Sequence, residues 1–381
     1  MTEAAAVTVE AFRRPRIKPE HRAYRTVDGN VRVGSVIHGI GAEIADPQGW
    51  VWTLVEAMDG TRGPSEVVAE VLRGHPELSG ADARQAMADL LAAGFVDDAG
   101  ASVPVPPREQ DRYSRGVPLL RWMDLAPRTS PWDAQLRLRE ARVLLIGVGG
   151  TGGHAAQALV ASGVGHVNCV DPDVVELSNL NRQPLYRESD LGRPKVEAAV
   201  ATLRALNSDV TVTGERREVR GPEDLAELVS GSPGSPYDLL VLAADRPDAI
   251  RRWTNRACLA AGLPWVDAGY RGPLVTAGVY VPGQGACWEC LRDGEIARRD
   301  LRLGPGQDPE TASPRMPWNP ASAVTAGLSG ALLAHAALAL LTGIPAMDPG
   351  FRFGVNLMLP GDPVHQRTPR HLDCPACGER A

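Results

Sequence analysis

An apolar run at residues 143–146 (VLLI) ends in Gly147, Gly149, Gly150 and Gly152, and a helix-like pattern begins near Thr151. A strand, a glycine turn and a helix start present unpaired backbone N–H groups to a phosphate. Roughly twenty positions later a second apolar run ends in Asp171, the place of an acceptor for a ribose hydroxyl. These features serve NAD and ATP equally. The next polar residues separate them: Asn179, Arg182 and Gln183 in LSNLNRQ, then Lys195 in GRPK. Hydride transfer has no need of such cations, whereas nucleotidyl transfer builds negative charge on the α-phosphate and on leaving pyrophosphate. A third apolar run, residues 237–243 (YDLLVLA), leads to Asp245. Ligands of open α/β sheets bind beyond the carboxyl ends of the strands. Asp245 is therefore a candidate Mg²⁺ ligand, because Mg²⁺ takes one or two carboxylates and completes its shell with water and phosphate oxygens. Taken singly, Asp171 or Asp245 fits a helix cap and Arg182 or Lys195 a solvated charge. Their joint occurrence after one glycine loop points to a nucleotide phosphate site.

Four of the six cysteines form two C-x-x-C pairs, Cys287/Cys290 and Cys374/Cys377. Two pairs far apart in sequence predict one tetrahedral thiolate site for structural Zn²⁺, with no open position for catalysis. Cys169 falls in the strand before Asp171 and Cys258 in a helical pattern, so both read as buried structural thiols. The long Pro- and Gly-containing segment 291–319 holds no cysteine. It is expected to cover the substrate.

The elements that must position these residues fall into two bodies. Residues 112–381 alternate strand and helix patterns, which predicts an α/β fold: a Rossmann-like, mostly parallel sheet with helices on both faces and the zinc site. Residues 101–111 are proline-rich and read as an extended linker. Before them, residues 15–100 predict strands at 21–27 and 30–37 around Asp28-Gly29, and a short third strand at 43–45. Helices opened by Asp46-Pro47, Pro64 and Ser79 follow, then a short strand near Phe95. That order describes a small winged-helix-like α+β domain.

Hydrophobic content of 44% and charged content of 23% are ordinary for a soluble globular chain. A net charge of −6, with one Arg and two Asp in the third helix, argues against nucleic-acid binding. Residues 321–343 carry no Asp, Glu, Lys or Arg, yet they are rich in Ala, Gly, Ser and Thr and lack basic flanks. They are expected to form a buried core helix and not a membrane span. The N-terminus shows no signal-peptide pattern, and a cytoplasmic protein is expected.

From RYSR (112–115) through GVGGTG, VDPDVVELSNLNRQ, GRPK, Asp245, both cysteine pairs and NPASAVTAGLSGALLAHAALALL, the chain resembles the ubiquitin-activating-type adenylyltransferases, with ThiF and MoeB-like members nearest. The resemblance implies that Asp171 contacts ribose, that Asn179, Arg182 and Lys195 contact ATP phosphates, and that Asp245 holds Mg²⁺. It also implies a homodimer in which Arg115 reaches the neighbouring protomer's site. Arg246 departs from the family, where Asn often follows the metal-binding Asp. Members that form a thioester or persulfide often carry a reactive cysteine in the segment corresponding to 291–319, so a cysteine relay is not expected. The segment from Pro15 to Asp98 resembles PqqD-like domains, which bind the leader of ribosomally made precursor peptides. It would dock a leader as an added strand on an open sheet edge.

The expected activity is ATP-dependent adenylation of a carbonyl or carboxylate of a leader-bearing peptide. One alternative is a catalytically silent delivery partner of a YcaO-type cyclodehydratase. Another is adenylation of a sulfur-carrier protein.

Overall fold

Asp46 accepts backbone hydrogen bonds from Val51 at 3.1 Å and Trp52 at 2.9 Å, which satisfies free donors at the start of helix α1 (Trp50–Ala57). Pro64 opens α2 (Pro64–Gly74), and the Ser79 hydroxyl caps α3 (Gly80–Ala92) by accepting from the Asp82 N–H. Val67, Val71, Met87 and Leu91 recur at helical spacing and bury with Leu54 and Val33 in one apolar cluster. Strand β1 (Pro15–Ile17) is followed by an antiparallel meander of β2 (Tyr24–Arg25), β3 (Val31–Ser35) and β4 (Ile40–Ile44). The five-residue β4 lies at an edge of this sheet. Strand β5 (Val96–Asp98) returns to pair with β1.

The computed structural model describes residues 7–35, 38–231, 236–298, 301–307, 319–359 and 361–378. The end of the strand expected at 30–37 and much of the covering segment, residues 299–300 and 308–318, lie outside the described residues. The chain forms two compact units, Met1–Leu136 and Arg137–Ala381. The first extends past the proline-rich segment to include α4 (Pro107–Arg112) and α5 (Gly116–Met123). Polar contacts fasten this extension to it: Lys18 Nζ donates to the Asp124 carbonyl at 2.7 Å, and Arg121 pairs with Asp97 at 2.6 Å and Glu20 at 3.0 Å. Helix α6 (Asp133–Glu140) runs across the boundary in sequence.

In the second unit strands and helices alternate. They are β6 (Arg142–Ile146), α7 (Gly150–Ala161), β7 (His166–Val170), α8 (Lys195–Leu206), β8 (Thr211–Glu215), α9 (Pro222–Ser230), β9 (Leu239–Leu242), α10 (Ile250–Ala261) and β10 (Trp265–Arg271). These strands form a parallel block in the order β8-β7-β6-β9-β10. Beyond β10 the sheet turns antiparallel through β11 (Leu274–Tyr280), β12 (Phe351–Asn356) and β13 (Val364–Arg367). The central parallel strands β6 and β9 are apolar almost throughout because both of their faces are covered. Helices α9, α10 and α11 (Trp288–Arg298) pack on Leu144, Ile146, Leu240, Leu242 and Trp265. Helices α7, α8 and α12 (Ala323–Thr342) contribute nothing to that cluster and pack against the other side of the strands.

Helix α12 is the apolar segment noted in the sequence. Ser322 caps it, Gly343 ends it, and it packs against α7, β10 and β11. Among the described residues it is the one helix long and apolar enough to cross a membrane; half of its apolar window is buried in the fold. Its small residues allow close approach: Thr151 and Ser329 hydroxyls meet at 2.6 Å between α7 and α12.

Candidate active site

Strand order reverses between β6 and β9, and the glycine loop leaves β6 at that switch point. This is where an open α/β sheet leaves a crevice for a ligand. Gly147 has φ +92°, and a β-carbon there would press on the backbone of Ala243 and Ala244 at the end of β9. A β-carbon on Gly152 would collide with the Gly147 carbonyl oxygen. The loop therefore closes only with glycine at these positions, and it aims the start of α7 into the crevice. The first turn of that helix has backbone N–H groups without helical partners, suited to an anion. Tyr186 fastens the loop from behind, its hydroxyl donating to the Val148 carbonyl at 2.7 Å.

Asp171, at the end of β7, is buried. One of its oxygens accepts the Val148 N–H at 2.9 Å and the other the Asp173 N–H at 3.0 Å. Burial holds its pKa above the ordinary carboxylate value, opposed by nearby Lys195 and by these two N–H groups. Each oxygen keeps lone-pair capacity for a further donor, such as a ribose hydroxyl. Lys195 opens α8 and is buried, and its ammonium donates to Asp173 at 2.8 Å. An isolated bridge between Val174 and Pro194 brings the two segments together.

Asn179 is buried and accepts the Glu176 N–H at 3.1 Å. Arg182 donates to the Ser178 carbonyl at 2.8 Å and to Asn181 at 3.0 Å. Its Cγ lies 3.7 Å from where a β-carbon of Gly150 would stand, so it borders the loop. Gln183 is buried, with its Nε2 at 3.7 Å from the corresponding point on Gly149. The Gln183 Oε1 is a buried acceptor without a partner. Such an atom is costly unless a ligand donor fills it. The orphaned Gln183 acceptor and the spare capacity of Asp171 fit a bound nucleotide. Asp245 is exposed, three residues past β9, and one carboxylate there fits the donor set of a phosphate-bound Mg²⁺.

The structure thus gathers the glycine loop, Asp171, Asn179, Arg182, Gln183, Lys195 and Asp245 at the carboxyl ends of the central parallel strands. Arg115 belongs to the first unit, where it is exposed at the N-cap of α5. Sequence reasoning missed two residues of the site. Asp173 is the second acid of DPD, a signal that was present. Tyr270 on β10 lies within the field of Arg182 and Asp245; burial is the main cause of its raised pKa. Only strand register reveals its place.

The cysteine pairs converge, with all four sulfurs within 4.8 Å of one another. Sγ–Sγ distances are 3.8 Å (Cys287–Cys290), 3.7 Å (Cys287–Cys374) and 3.5 Å (Cys290–Cys377). Thiolates about 2.3 Å from a tetrahedral Zn²⁺ stand roughly 3.8 Å apart. The cluster therefore fits zinc. Burial pushes the Cys290 thiol up to about 11, so a cation is what would hold it as thiolate. Cys169 and Cys258 are fully buried; burial pushes Cys169 up to about 12 and raises Cys258 as well. Neither is an active nucleophile.

Comparison with known proteins shows the family. The ThiF family matches residues 123–375. The SAMP-activating enzyme E1 of Haloferax volcanii is 34% identical over 270 residues, covering 71% of this chain and 89% of that protein. The bovine adenylyltransferase and sulfurtransferase MOCS3 is 34% identical over 338 residues, and the match covers 82% of this chain and 64% of MOCS3. Among solved structures, E. coli MccB superposes with a TM-score of 0.76 at 22% identity, over 96% of this chain and 97% of MccB. MccB has also been solved with ATP, and with AMPCPP and MccA. The matched region holds every nucleotide-site residue described above; the chain is a member of the ThiF family of E1-like adenylyltransferases.

Proposed function

We propose that this protein is an ATP-dependent enzyme that adenylates a carbonyl or carboxylate of a ribosomally made precursor peptide in the cytoplasm. The observation that carries the reading is the grouping of Arg182, Lys195 and Asp245 around one glycine loop at the switch point of a ThiF-family sheet. A silent scaffold has no chemical need of all three. The peptide client is supported by the first unit, whose edge strand β4 offers unpaired backbone groups. A leader would add there as a strand, in the manner of PqqD-like domains. The complex of MccB with AMPCPP and MccA supports a second substrate beside the nucleotide.

In the reaction, an oxygen of the substrate carboxylate attacks the α-phosphorus of ATP, the bond to the β-phosphate bridging oxygen breaks, and pyrophosphate leaves. The product is a peptidyl–AMP mixed anhydride. The glycine loop and the start of α7 hold the phosphates through backbone N–H groups. Lys195 and Arg182 stabilise charge that builds on the phosphoryl oxygens, an effect worth most in a site shielded from water. Asp171 and Gln183 orient the ribose. Mg²⁺, held by Asp245, would neutralise phosphate charge. A nucleophile within the same peptide then displaces AMP. A homodimer, with Arg115 entering the partner protomer's site, completes the catalytic set. Holding the leader on one unit raises the local concentration of the reacting group at the other.

One observation favours a second reading. The curated relatives act on sulfur carriers or SAMP proteins by their names, which makes a Gly-Gly-ended carrier the competing substrate. Pyrophosphate exchange driven by precursor peptide, compared with exchange driven by such a carrier, decides between them. Exchange with the carrier alone would overturn the peptide reading.

A further inference from the structure

Two neighbouring residues of α10 hold the two residues that lie between Cys287 and Cys290. Asn255 is fully buried; its Oδ1 accepts the Trp288 N–H at 3.1 Å, and its Nδ2 donates to the Glu289 carboxylate at 3.3 Å. The Trp288 N–H is one of the donors that a helix start leaves without a helical partner. Arg256 takes the same carboxylate with two nitrogens, at 3.0 and 3.1 Å. Both oxygens of Glu289 are engaged in this way, and the cluster of possible metal ligands consists of the four cysteine sulfurs without it. The Leu291 N–H closes the turn on the Cys287 carbonyl at 3.1 Å. Helix α10 is itself seated on the sheet, by Ile250 and Cys258 in the core and by Arg251, which donates to Asp267 of β10 at 2.9 Å.

The other cysteine pair is held differently. Residues 368–378 form neither helix nor strand. The Cys374 N–H donates to the His371 carbonyl at 3.2 Å, the Gly378 N–H to the Cys374 carbonyl at 2.8 Å, and Arg370 Nε to the Cys377 carbonyl at 3.1 Å. These bonds are all local. The segment meets α11 where Arg298 donates to the Thr368 hydroxyl at 3.0 Å and where the His371 N–H approaches the Cys290 sulfur at 3.5 Å.

We propose that Asn255 and Glu289 are positioning residues of the zinc centre: they fix Cys287 and Cys290 as a preformed half-site, onto which Cys374 and Cys377 close when zinc binds. This is independent of the adenylation reading and rests on the zinc reading of the cysteine cluster. Ligands already ordered by the fold need not be ordered again on binding. Arg256 offsets the Glu289 charge, which would otherwise oppose the thiolates on either side of it.

The test begins with the full wild-type chain stripped of zinc. Amide hydrogen exchange is expected to stay slow at 288–291 and to become fast at 370–378, and zinc alone should restore protection to the second segment. Asn255→Ala is expected to bind zinc roughly 10- to 100-fold more weakly in competition with a chromophoric chelator, and to lose the protection at 288–291 when metal-free. Glu289→Gln keeps an acceptor for Asn255 and should lose less. Cys258→Ala loosens the same helix without touching this frame and should keep zinc affinity near that of wild type. Equal exchange of the two segments in the metal-free wild type, wild-type zinc affinity in Asn255→Ala, or an equal loss in Cys258→Ala would overturn the proposal while leaving the zinc reading intact. A wild-type protein with no affinity for zinc would overturn both.

Discussion

Lys195 and Asp173 are joined twice: the ammonium donates to the carboxylate at 2.8 Å, and the Lys195 backbone N–H donates to the Asp173 carbonyl at 2.9 Å. The ammonium end is buried and the carboxylate is open to solvent. The pair presets the lysine at the lip of the crevice, where an incoming phosphate would share it. Lys195→Ala removes charge stabilisation and is expected to lower peptide-dependent exchange by about a hundredfold or more. Asp173→Asn keeps an acceptor for the ammonium and is expected to cost less than about tenfold. Equal losses in both variants, measured as kcat/KM for ATP, would contradict a phosphate role for Lys195.

The cysteine cluster predicts one zinc per chain by elemental analysis. Cys374→Ser is expected to abolish stoichiometric zinc and to lower the melting temperature of the second unit, because metal binding is coupled to folding. A purified wild-type protein free of zinc, with an undiminished melting temperature, would rule out a structural metal.

His21 gives the first unit a pH dependence. It is fully buried, and burial, with Lys18 beside it, pushes its pKa from 6.5 down to about 4. The unfolded chain takes up the proton near pH 6.5 and the folded chain only near pH 4. The contribution of neutral His21 is therefore complete above pH 6.5 and is lost as pH falls toward 4, by up to about 3 kcal/mol. Urea unfolding between pH 7.5 and pH 4.5 should show this loss, and His21→Phe should flatten it. An unchanged slope in that variant would assign the acid sensitivity elsewhere.

The parts of the site that were legible in the sequence are those set by local sterics or by spacing along the chain. Gly147 and Gly152 are required by a turn that any β-carbon would break. Ser79 and Asp46 announce helix starts by their own side chains. Two C-x-x-C pairs carry their geometry in their spacing. What was hidden depends on strand register. Tyr270 stands in the field of Arg182 and Asp245 because β10 runs on past β9. A buried polar group at Asp267 was equally invisible. It accepts from Arg251 at 2.9 Å and from the Tyr280 hydroxyl at 3.2 Å, and Arg352 approaches it at 3.8 Å. Arg352 reaches it across Gly278, which lies between them in the cross-strand row and has no side chain.

Arg115 is assigned by resemblance to the partner protomer's site. If so, Arg115→Ala and Lys195→Ala should each be inactive, and mixing them should restore roughly a quarter of wild-type activity, as expected for randomly paired dimers with one intact site in each mixed dimer. A monomeric protein in sedimentation, or no recovery on mixing, would contradict a shared site.

Peptide-dependent exchange of labelled pyrophosphate into ATP tests the central claim most directly. With the cognate precursor peptide, wild type is expected to exchange, leader-deleted peptide to exchange poorly, and Lys195→Ala and Asp245→Ala not at all. Tight leader binding without exchange, or exchange indifferent to both substitutions, would contradict it.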